Sequence, residues 1–327
     1  MPAVRPMRAA CARTGRDVRH RLEYALVAGV RLLARWLPDR GVATLGTAVG
    51  LTFWALDGAH RRLSVRQLQS AFPLRSEAEC RTIARHMFGH FGRLLLAILK
   101  FSTLDREGIR RRVEFEGEDR VQQALALGRG VLIFSGHFGF WELQGMAHPL
   151  ALPPMHVLAR PLDNPMLHRL LEHARTATGN GVIYRKGAVR RVMRALAANQ
   201  TVAIMIDQHI QSTDAVYVEF FNRPAATTSA LAALALKTGA PVIPVFALPL
   251  PDGRYRMVYE HPVPLPPADS PDPIRDLTQR CTDVLEMYVR RYPDLWLWMH
   301  RRWRDLPPDV SAVPGMFPSA SGDEISE

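Results

Sequence analysis

Hydrophobic and polar positions follow two different periods along the middle of the chain. Short apolar runs, which are typical of buried strands, lie at Val113–Phe115, Val131–Phe134, Met155–Ala159, Val182–Tyr184, Thr201–Ile206 and Pro241–Ala247. Segments with apolar residues at helical spacing separate them, at Glu118–Leu127, Phe138–Met146, Pro165–Thr178, Ala188–Ala197 and Ser229–Thr238. The alternation predicts an α/β fold: a mixed, largely parallel sheet that helices cover on both faces.

Further segments extend this pattern. Val216–Phe221 alternates like a half-buried strand. Arg254–Glu260 also alternates, and the Pro251-Asp252-Gly253 turn predicts that it pairs with the strand before it. Helical spacing returns at Ile274–Arg291, and Ser76 is a suitable N-cap for a helix over Glu77–Leu99.

Two apolar segments near the N-terminus have a different character. Leu22–Leu37 carries its apolar residues on one helical face, and Pro38 ends that helix. Val42–Leu56 has no charged residue, but it is shorter than the ~20 residues that a bilayer-spanning helix needs. Two interpretations stay open: an ordinary buried helix, or part of a helical hairpin over residues 22–58 that enters one leaflet of a membrane.

Basic residues dominate the segment before these helices. Residues 1–21 contain one acid, Asp17, against six arginines, and we predict a disordered basic tail there. Such a tail suits an anionic lipid surface, where each basic residue contributes ~1 kcal/mol. We therefore favour peripheral or monotopic membrane attachment through residues 22–58, with a single tilted span left open. Residues 59–304 then form the α/β domain, and residues 305–327 a second disordered tail.

The composition limits the classes of molecule that the chain is expected to bind. The 327 residues suit one large domain with appendages. The formal charge of +11 points to anionic partners: phospholipid headgroups, a phosphorylated glycolipid, an acidic carrier protein or nucleic acid. The three cysteines, Cys11, Cys80 and Cys281, are far apart and include no CxxC pair, which favours a reducing compartment over a disulfide framework.

The strongest candidate chemistry lies in the stretch Val131–Gln144. His137 comes just after a predicted strand, between Gly136 and Gly139, and Glu142 follows five positions later. Ligands of open α/β sheets bind outside the carboxyl ends of strands. There a neutral imidazole can take a proton from a hydroxyl, and a carboxylate can hold its other ring nitrogen. The alternative is a histidine and a glutamate that merely lie beside a turn.

Other predicted strands also end in polar residues, and parallel strands bring such ends to one rim. These residues are Arg160, Arg185 with Lys186, and Asp207 with Gln208. The alternatives are solvated surface charges for the arginines and a helix cap or turn for Asp207. The chain has no GxGxxG, P-loop or GxSxG motif and no Cys/His ligand spacing, so no metal site and no bound cofactor is predicted.

The GHFGFWE segment resembles the HxxxxD/E motif of the glycerolipid-type acyltransferase superfamily. It is most similar to the branch that adds secondary lauroyl or myristoyl chains to lipid A in Gram-negative bacteria. Further stretches that resemble this branch are RPLDNP, YRKGAVRRVMRAL, DQH, VEFFNRPAATT, ALKTGAPVIPVF and LWLWMHRRWR. His209 and Asn222 depart from the usual family residues, so the resemblance to the family is weaker in the segment after Asp207.

The resemblance implies O-acyl transfer from acyl carrier protein (acyl-ACP) to a hydroxyl of a lipid A precursor, at the cytoplasmic face of the inner membrane. It implies His137 as general base and Glu142 as the group that fixes its tautomer. Oxyanion donors would be backbone N–H groups between Gly136 and Gly139 or the Arg160 side chain. The remaining rim residues, Arg185, Lys186, Asp207 and Gln208, would bind substrate or its phosphates.

The resemblance also implies the partners: acidic ACP, a lipid A precursor and anionic inner-membrane lipids. No serine or cysteine nucleophile is evident, which favours direct transfer over an acyl-enzyme. An alternative within the class is another acceptor, of the phosphatidylinositol-mannoside or ornithine-lipid type.

Alternatives from another class are a basic nucleic-acid-binding protein and a non-catalytic membrane scaffold. Nucleic acid would explain the charge, but not the His137 motif, and no recognised nucleic-acid module is present, so we predict no such partner. Trp296, Trp298 and Trp303 with their neighbouring arginines suit either a membrane interface or the core.

Overall fold

The computed structural model describes residues 5–185, 187–211 and 215–304, with the backbone only for residues 5–14. The helices are α1 Arg5–Trp36, α2 Asp39–Leu56, α3 Gly58–Ala71, α4 Glu77–Phe101, α5 Arg106–Arg110, α6 Glu118–Ala126, α7 Trp141–Ala147, α8 Pro165–Thr176, α9 Ala188–Ala197, α10 Ala230–Thr238 and α11 Pro273–Arg291. The strands are β1 Val113–Glu116, β2 Val131–Ser135, β3 Met155–Ala159, β4 Gly181–Tyr184, β5 Thr201–Met205, β6 Ala215–Glu219, β7 Pro224–Thr228, β8 Val242–Pro249 and β9 Tyr255–Tyr259.

Within these residues, a seven-stranded sheet has the order β1-β9-β8-β2-β5-β3-β4, and β6 and β7 form a separate antiparallel pair. Strands β8, β2, β5, β3 and β4 are parallel to one another. β9 is antiparallel to β8, as predicted from its turn, and β1 runs with β9. The predicted mixed, largely parallel sheet is therefore confirmed.

The two faces of the sheet carry separate cores, because successive side chains of a strand point to opposite faces. In β2, Leu132 and Phe134 belong to one buried cluster, and Val131 and Ile133 to the other. Helices α3, α9, α10 and α11 contribute to the first cluster, and α5, α6, α7 and α8 to the second. Helices cover both faces, as predicted.

Helix α4 connects the two cores and begins at the predicted cap. The Ser76 hydroxyl accepts from the Glu79 N–H at 3.3 Å, and the Glu79 carboxylate accepts from the Ser76 N–H at 2.8 Å. Met87, in the N-terminal half of α4, lies in the first core, whereas Leu94 and Phe101 lie in the second.

The prediction of a disordered tail over residues 1–21 is wrong from residue 5 onward, where α1 begins. The arginines that suggested a disordered tail are also good helix formers, as are the alanines between them. The α1 helix is tied to its neighbours: Arg31 donates to the Ser102 hydroxyl at 2.9 Å, and Lys100 donates to the Leu37 carbonyl at 2.7 Å. Residues 1–4 and the predicted tail over 305–327 lie outside the described residues.

Helices α1 and α2 pack chiefly on α4 rather than on each other, so they do not form a self-contained hairpin. Glycines allow α2 to approach α4 closely. A Cβ on Gly50 would collide with the Phe88 carbonyl oxygen, and one on Gly46 would lie 2.6 Å from the Arg93 Cα.

Both N-terminal helices leave a row of apolar side chains exposed. We call these the exposed apolar rows: Leu22, Leu26, Leu33 and Trp36 on α1, and Leu45, Val49, Phe53 and Leu56 on α2. Of the described helices, none is by itself long and apolar enough to cross a bilayer. Helices α2 and α3 together have enough length and apolar character, but the chain bends by 93° between them.

The tryptophan-rich segment near the end of the described chain packs into the core. Trp296 and Trp298 are 1% and 0% exposed, and Trp303 stacks on Phe220 with 5.7 Å between the ring centroids. Of the two interpretations open from the sequence, core packing is therefore correct for Trp296 and Trp298.

Candidate active site

His137 lies in the short loop between β2 and α7, at the carboxyl end of a central strand. Gly136 before it leaves room for a neighbour, because a Cβ there would be 3.1 Å from an Asp207 carboxylate oxygen. Gly139 after it has a φ of +56°, and a Cβ there would collide with the Ala247 carbonyl oxygen. Both glycines are therefore needed for the path of this loop.

Three backbone N–H groups of the loop already have partners. The His137 N–H donates to Asp207 at 2.6 Å and that of Phe138 to the Gly136 carbonyl at 2.7 Å. The Gly139 N–H donates to the Leu295 carbonyl at 2.9 Å. The predicted oxyanion donors between Gly136 and Gly139 are thus committed to the fold at His137, Phe138 and Gly139.

The carboxylate that holds the imidazole is Asp207. His137 Nδ1 and Asp207 Oδ1 are 2.8 Å apart, while Asp207 Oδ2 accepts from the His137 backbone and, at 2.9 Å, from Trp296 Nε1. Strand register explains the pairing: Ser135 of β2 lies opposite Met205 of β5, and each functional residue comes two positions later. The sequence placed Asp207 on the rim, but in a substrate-binding role.

Glu142 does not hold the imidazole, so that prediction is wrong. Its two carboxylate oxygens accept from Arg175 of α8, at 2.8 Å from Nε and 2.5 Å from Nη2. Both side chains are largely buried. Gly145, one turn along α7, leaves room for Arg175, whose Cγ would be 3.2 Å from a Cβ there. A nearby cation on another helix thus directs Glu142 away from the ring.

The charges around the imidazole act together on its pKa. Burial lowers the pKa of His137, but the charge of Asp207, its hydrogen bond and the charge of Glu142 outweigh burial, so the pKa is raised above the usual 6.5. Burial raises the pKa of Asp207, yet the charge on His137 and the hydrogen bonds from His137 and Trp296 lower it to about 2. Asp207 is therefore a carboxylate at any ordinary pH.

The remaining ring nitrogen gives the pair its chemistry. With Nδ1 bonded to a carboxylate, the hydrogen bond assigns the Nδ1–H tautomer to neutral His137, and Nε2 keeps its lone pair. The His137 side chain is 20% exposed, against 3% for Asp207. Trp141 packs beside the imidazole with 5.2 Å between ring centroids. The arrangement is a buried acid that orients a partly accessible base.

The other predicted site residues lie farther along the same rim. Arg160 follows β3 and pairs with Asp163 at 3.6 Å, and both side chains are mostly exposed. Arg185 follows the edge strand β4 and is exposed, as is Gln208 beside Asp207. At ~4.8 Å per strand, β3 and β4 lie ~10 and ~14 Å from β2. Lys186 lies outside the described residues.

Three contributors to the site were missed from the sequence. Trp296 and Arg175 contact the two carboxylates directly. Arg302 is 1% exposed and donates to the Ala226 carbonyl at 2.6 Å. Burial lowers the pKa of its guanidinium to about 10, and the charge of Asp207 partly opposes this effect. Trp296 and Arg302 belong to the stretch LWLWMHRRWR, whose family resemblance was the available signal. Within the described residues, no cluster of His, Cys, Asp or Glu could hold a metal ion.

The chain is similar to known proteins over most of its length. Residues 14–305 match the family described as bacterial lipid A biosynthesis acyltransferase. The chain is 28% identical over 287 residues to the lipid A biosynthesis lauroyltransferase of Escherichia coli K12, which covers 86% of this chain and 91% of that protein. It is 22% identical over 279 residues to the lipid A biosynthesis myristoyltransferase of the same strain, with 85% and 84% covered. It is also 24% identical over 226 residues to a phosphatidylinositol mannoside acyltransferase of Mycolicibacterium smegmatis, with 68% and 72% covered.

Proposed function

The chain belongs to the bacterial lipid A biosynthesis acyltransferase family and is an acyltransferase, and from this premise we propose that it transfers a fatty acyl chain from acyl-ACP to a hydroxyl of a lipid A precursor. The observation that carries the proposal is the His137–Asp207 pair, which leaves Nε2 available at the carboxyl ends of the parallel strands. A base in this position suits attack by a hydroxyl on a thioester.

The proposed step needs one proton acceptor and no protein nucleophile. His137 Nε2 takes the proton of the acceptor hydroxyl as its oxygen attacks the thioester carbonyl carbon. The tetrahedral intermediate then collapses, the carbon–sulfur bond breaks, and the imidazolium returns the proton to the sulfur of the carrier's pantetheine. The product is an ester and a free thiol. Asp207 keeps the imidazole in one tautomer and stabilises its charged form.

Glu142 has a different part in this proposal. Its charge favours the imidazolium through space, while its two hydrogen bonds to Arg175 fix α7 against α8. For the oxyanion, the loop N–H groups named above are already donated within the fold. Of the donors considered from the sequence, the Gly136 N–H and the Arg160 side chain remain, and the exposed pairing of Arg160 with Asp163 can be exchanged for substrate.

The donor's carrier protein would bind on the basic side of the rim. Arg190, Arg191 and Arg194 of α9 are exposed, and Arg185 lies just before that helix. This surface complements an acidic carrier protein, and Arg185 suits the phosphate of its pantetheine arm. The arm would then follow the rim over the ~14 Å between β4 and β2.

We propose that the chain acts at the cytoplasmic face of the inner membrane, as a peripheral or monotopic protein. The exposed apolar rows support this, because two amphipathic helices that leave leucine, phenylalanine and tryptophan in solvent suit insertion into the headgroup region. Arg16, Arg19 and Arg21 are exposed on the same α1 helix and would contact anionic lipid.

A second acceptor is favoured by one observation. The similarity to a phosphatidylinositol mannoside acyltransferase extends over 68% of the chain, so a glycolipid other than lipid A would meet the same base and rim.

The test compares membranes that carry the wild type, His137→Ala or the control His86→Ala, which alters an exposed histidine of α4. Each is supplied with labelled lauroyl- or myristoyl-ACP and with either a Kdo-bearing lipid A precursor or a phosphatidylinositol mannoside. We expect product with the wild type and the control, and a loss of 10²–10⁴-fold, about the contribution of a general base, in His137→Ala.

Transfer that survives in His137→Ala would contradict the catalytic assignment, and wild-type transfer only to phosphatidylinositol mannoside would replace the acceptor. Pelleting of the protein with membranes after nuclease treatment separates lipid attachment from nucleic-acid binding.

A further inference from the structure

We propose that Trp296 is a positioning residue for this reaction: its indole N–H holds the Asp207 carboxylate and thereby sets the orientation and basicity of His137. This inference rests on the proposed function. It concerns a residue that touches neither the imidazole ring nor the reacting atoms, and that acts only through the acid.

The first support is the geometry at the carboxylate. Trp296 is 1% exposed, and its Nε1 lies 2.9 Å from Asp207 Oδ2. The same oxygen accepts from the His137 backbone at 2.6 Å, while Oδ1 faces the imidazole at 2.8 Å. Three donors on two oxygens leave the carboxylate one orientation, and Trp296 supplies the donor that comes from outside the His137 residue.

The second support is the backbone that carries the indole. The Gly139 N–H donates to the Leu295 carbonyl at 2.9 Å, and the Leu297 N–H donates to the His137 carbonyl at 3.1 Å, so residues 295–297 pair with the catalytic loop like a short strand. One segment therefore fixes both the loop of the base and the carboxylate of the acid.

A third contact anchors this segment from the opposite direction. The Gln67 side chain of α3 donates to the carbonyls of Trp298 and His300, at 2.6 and 2.9 Å, and accepts from the Arg302 N–H at 3.2 Å. The segment cannot shift without breaking these bonds, so the indole is held in place by residues that have no role at the base.

Several charged or titratable groups face the pair, and the effect of Trp296 must be separated from theirs. Glu142 comes from α7, Arg302 and His300 from the segment after Trp296, and His209 from the loop of Asp207. All of them remain in a Trp296 variant. The indole is neutral at every pH, so its loss removes no charge and acts on the imidazolium only through the orientation and charge distribution of the Asp207 carboxylate.

The direction of the effect follows from this charge. A donor to Oδ2 draws negative charge away from the imidazole side of the carboxylate. Without it, Asp207 holds the imidazolium more strongly and the pKa of His137 rises further. His137 then stays protonated up to a higher pH, so the midpoint on the acid side of the pH–rate profile shifts to a higher pH.

The experiment uses the full-length protein in membranes and replaces Trp296 in two ways. Trp296→Phe removes the N–H and part of the ring. Incorporation of 3-benzothienylalanine at position 296 keeps the shape of indole and has sulfur where the N–H was, so it preserves the packing. The control is Trp298→Phe, because Trp298 is 0% exposed and donates its indole N–H at 2.6 Å to the Pro293 carbonyl instead.

We expect both Trp296 variants to lose kcat by about tenfold with little change in the KM for acyl-ACP. We also expect the midpoint on the acid side of their kcat–pH profile to rise by ~0.5 pH unit or more. Trp298→Phe is expected to leave that midpoint unchanged. An NMR titration of the His137 imidazole provides the same comparison without substrate.

Two failures are distinguishable. Wild-type transfer together with an unshifted pH profile in the benzothienylalanine variant would overturn the inference and leave the proposed function intact. An equal shift in Trp298→Phe would also overturn it, since the effect would then be one of packing. Absence of transfer in the wild type would remove the proposed function itself, and the inference with it.

Discussion

Two buried carboxylates lie near His137, and their partners differ. Asp207 accepts from Trp296 and from His137, whose imidazole can gain and lose a proton. Glu142 is paired with Arg175, which stays charged. Both raise the pKa of His137, but Asp207 does so by direct contact and Glu142 only through space. A carboxylate whose partner titrates is coupled to proton transfer, while one whose partner is a permanent cation mainly holds structure.

This difference divides the expected effects of substitution into two kinds. A change at Asp207 alters the tautomer and charge of the base. In Asp207→Asn the amide keeps nearly all of the contacts that the carboxylate makes with the rest of the fold. A change at Glu142 leaves a buried guanidinium without its counter-ion, which costs folding free energy first.

Asp207→Asn is expected to reduce kcat by ~10³–10⁴-fold, because an amide permits the wrong tautomer and does not stabilise the imidazolium. Steady-state transfer assays measure the loss, and circular dichroism verifies the fold. A variant within tenfold of the wild type would assign the orienting role to some other group.

Glu142→Gln is expected to lower the free energy of unfolding by ~3–5 kcal/mol, since Arg175 would be buried without its partner. Urea unfolding measures this change, and kcat per folded molecule should fall far less than in Asp207→Asn. The double variant Glu142→Leu/Arg175→Met should recover most of the stability. Equal losses of kcat in the two single variants, with wild-type stability in Glu142→Gln, would erase the distinction between the carboxylates.

The pH dependence gives the smallest and most specific effect. Since the imidazole must be neutral to act as a base, wild-type kcat/KM should rise with pH through a midpoint above 6.5, and Asp207, with a pKa of about 2, adds no transition near neutrality. In Asp207→Asn burial dominates and the midpoint should fall. Glu142→Gln should lower it by less. A midpoint that moves more in Glu142→Gln than in Asp207→Asn would reverse the comparison.

Much of the architecture could be predicted because it depends on local pattern. Buried runs such as Val131–Phe134 alternate with amphipathic helices, and that alternation requires parallel strands with a common rim. The rim itself was predicted correctly for His137 and Asp207, which are at the ends of β2 and β5.

The pairing of these two residues could not be predicted, because it depends on strand order. In the chain β3 follows β2, but in the sheet β5 lies between them. Spacing within one segment made Glu142 the natural partner, and the cation that draws it away is 33 residues further along the chain. Trp296 is more distant still, and nothing in its local pattern specifies which carboxylate its N–H meets.

The segment that carries Trp296 has a consequence for biosynthesis. Trp296 is separated from Asp207 by 89 residues. At ~5–20 residues per second, a ribosome adds this tryptophan about 4–18 s after the aspartate. The base and the acid are therefore both present in the nascent chain for seconds before the tryptophan that holds the acid is added. A ribosome that stalls before Leu295 leaves a chain that has the acid and the base but lacks the segment that pairs with their loop.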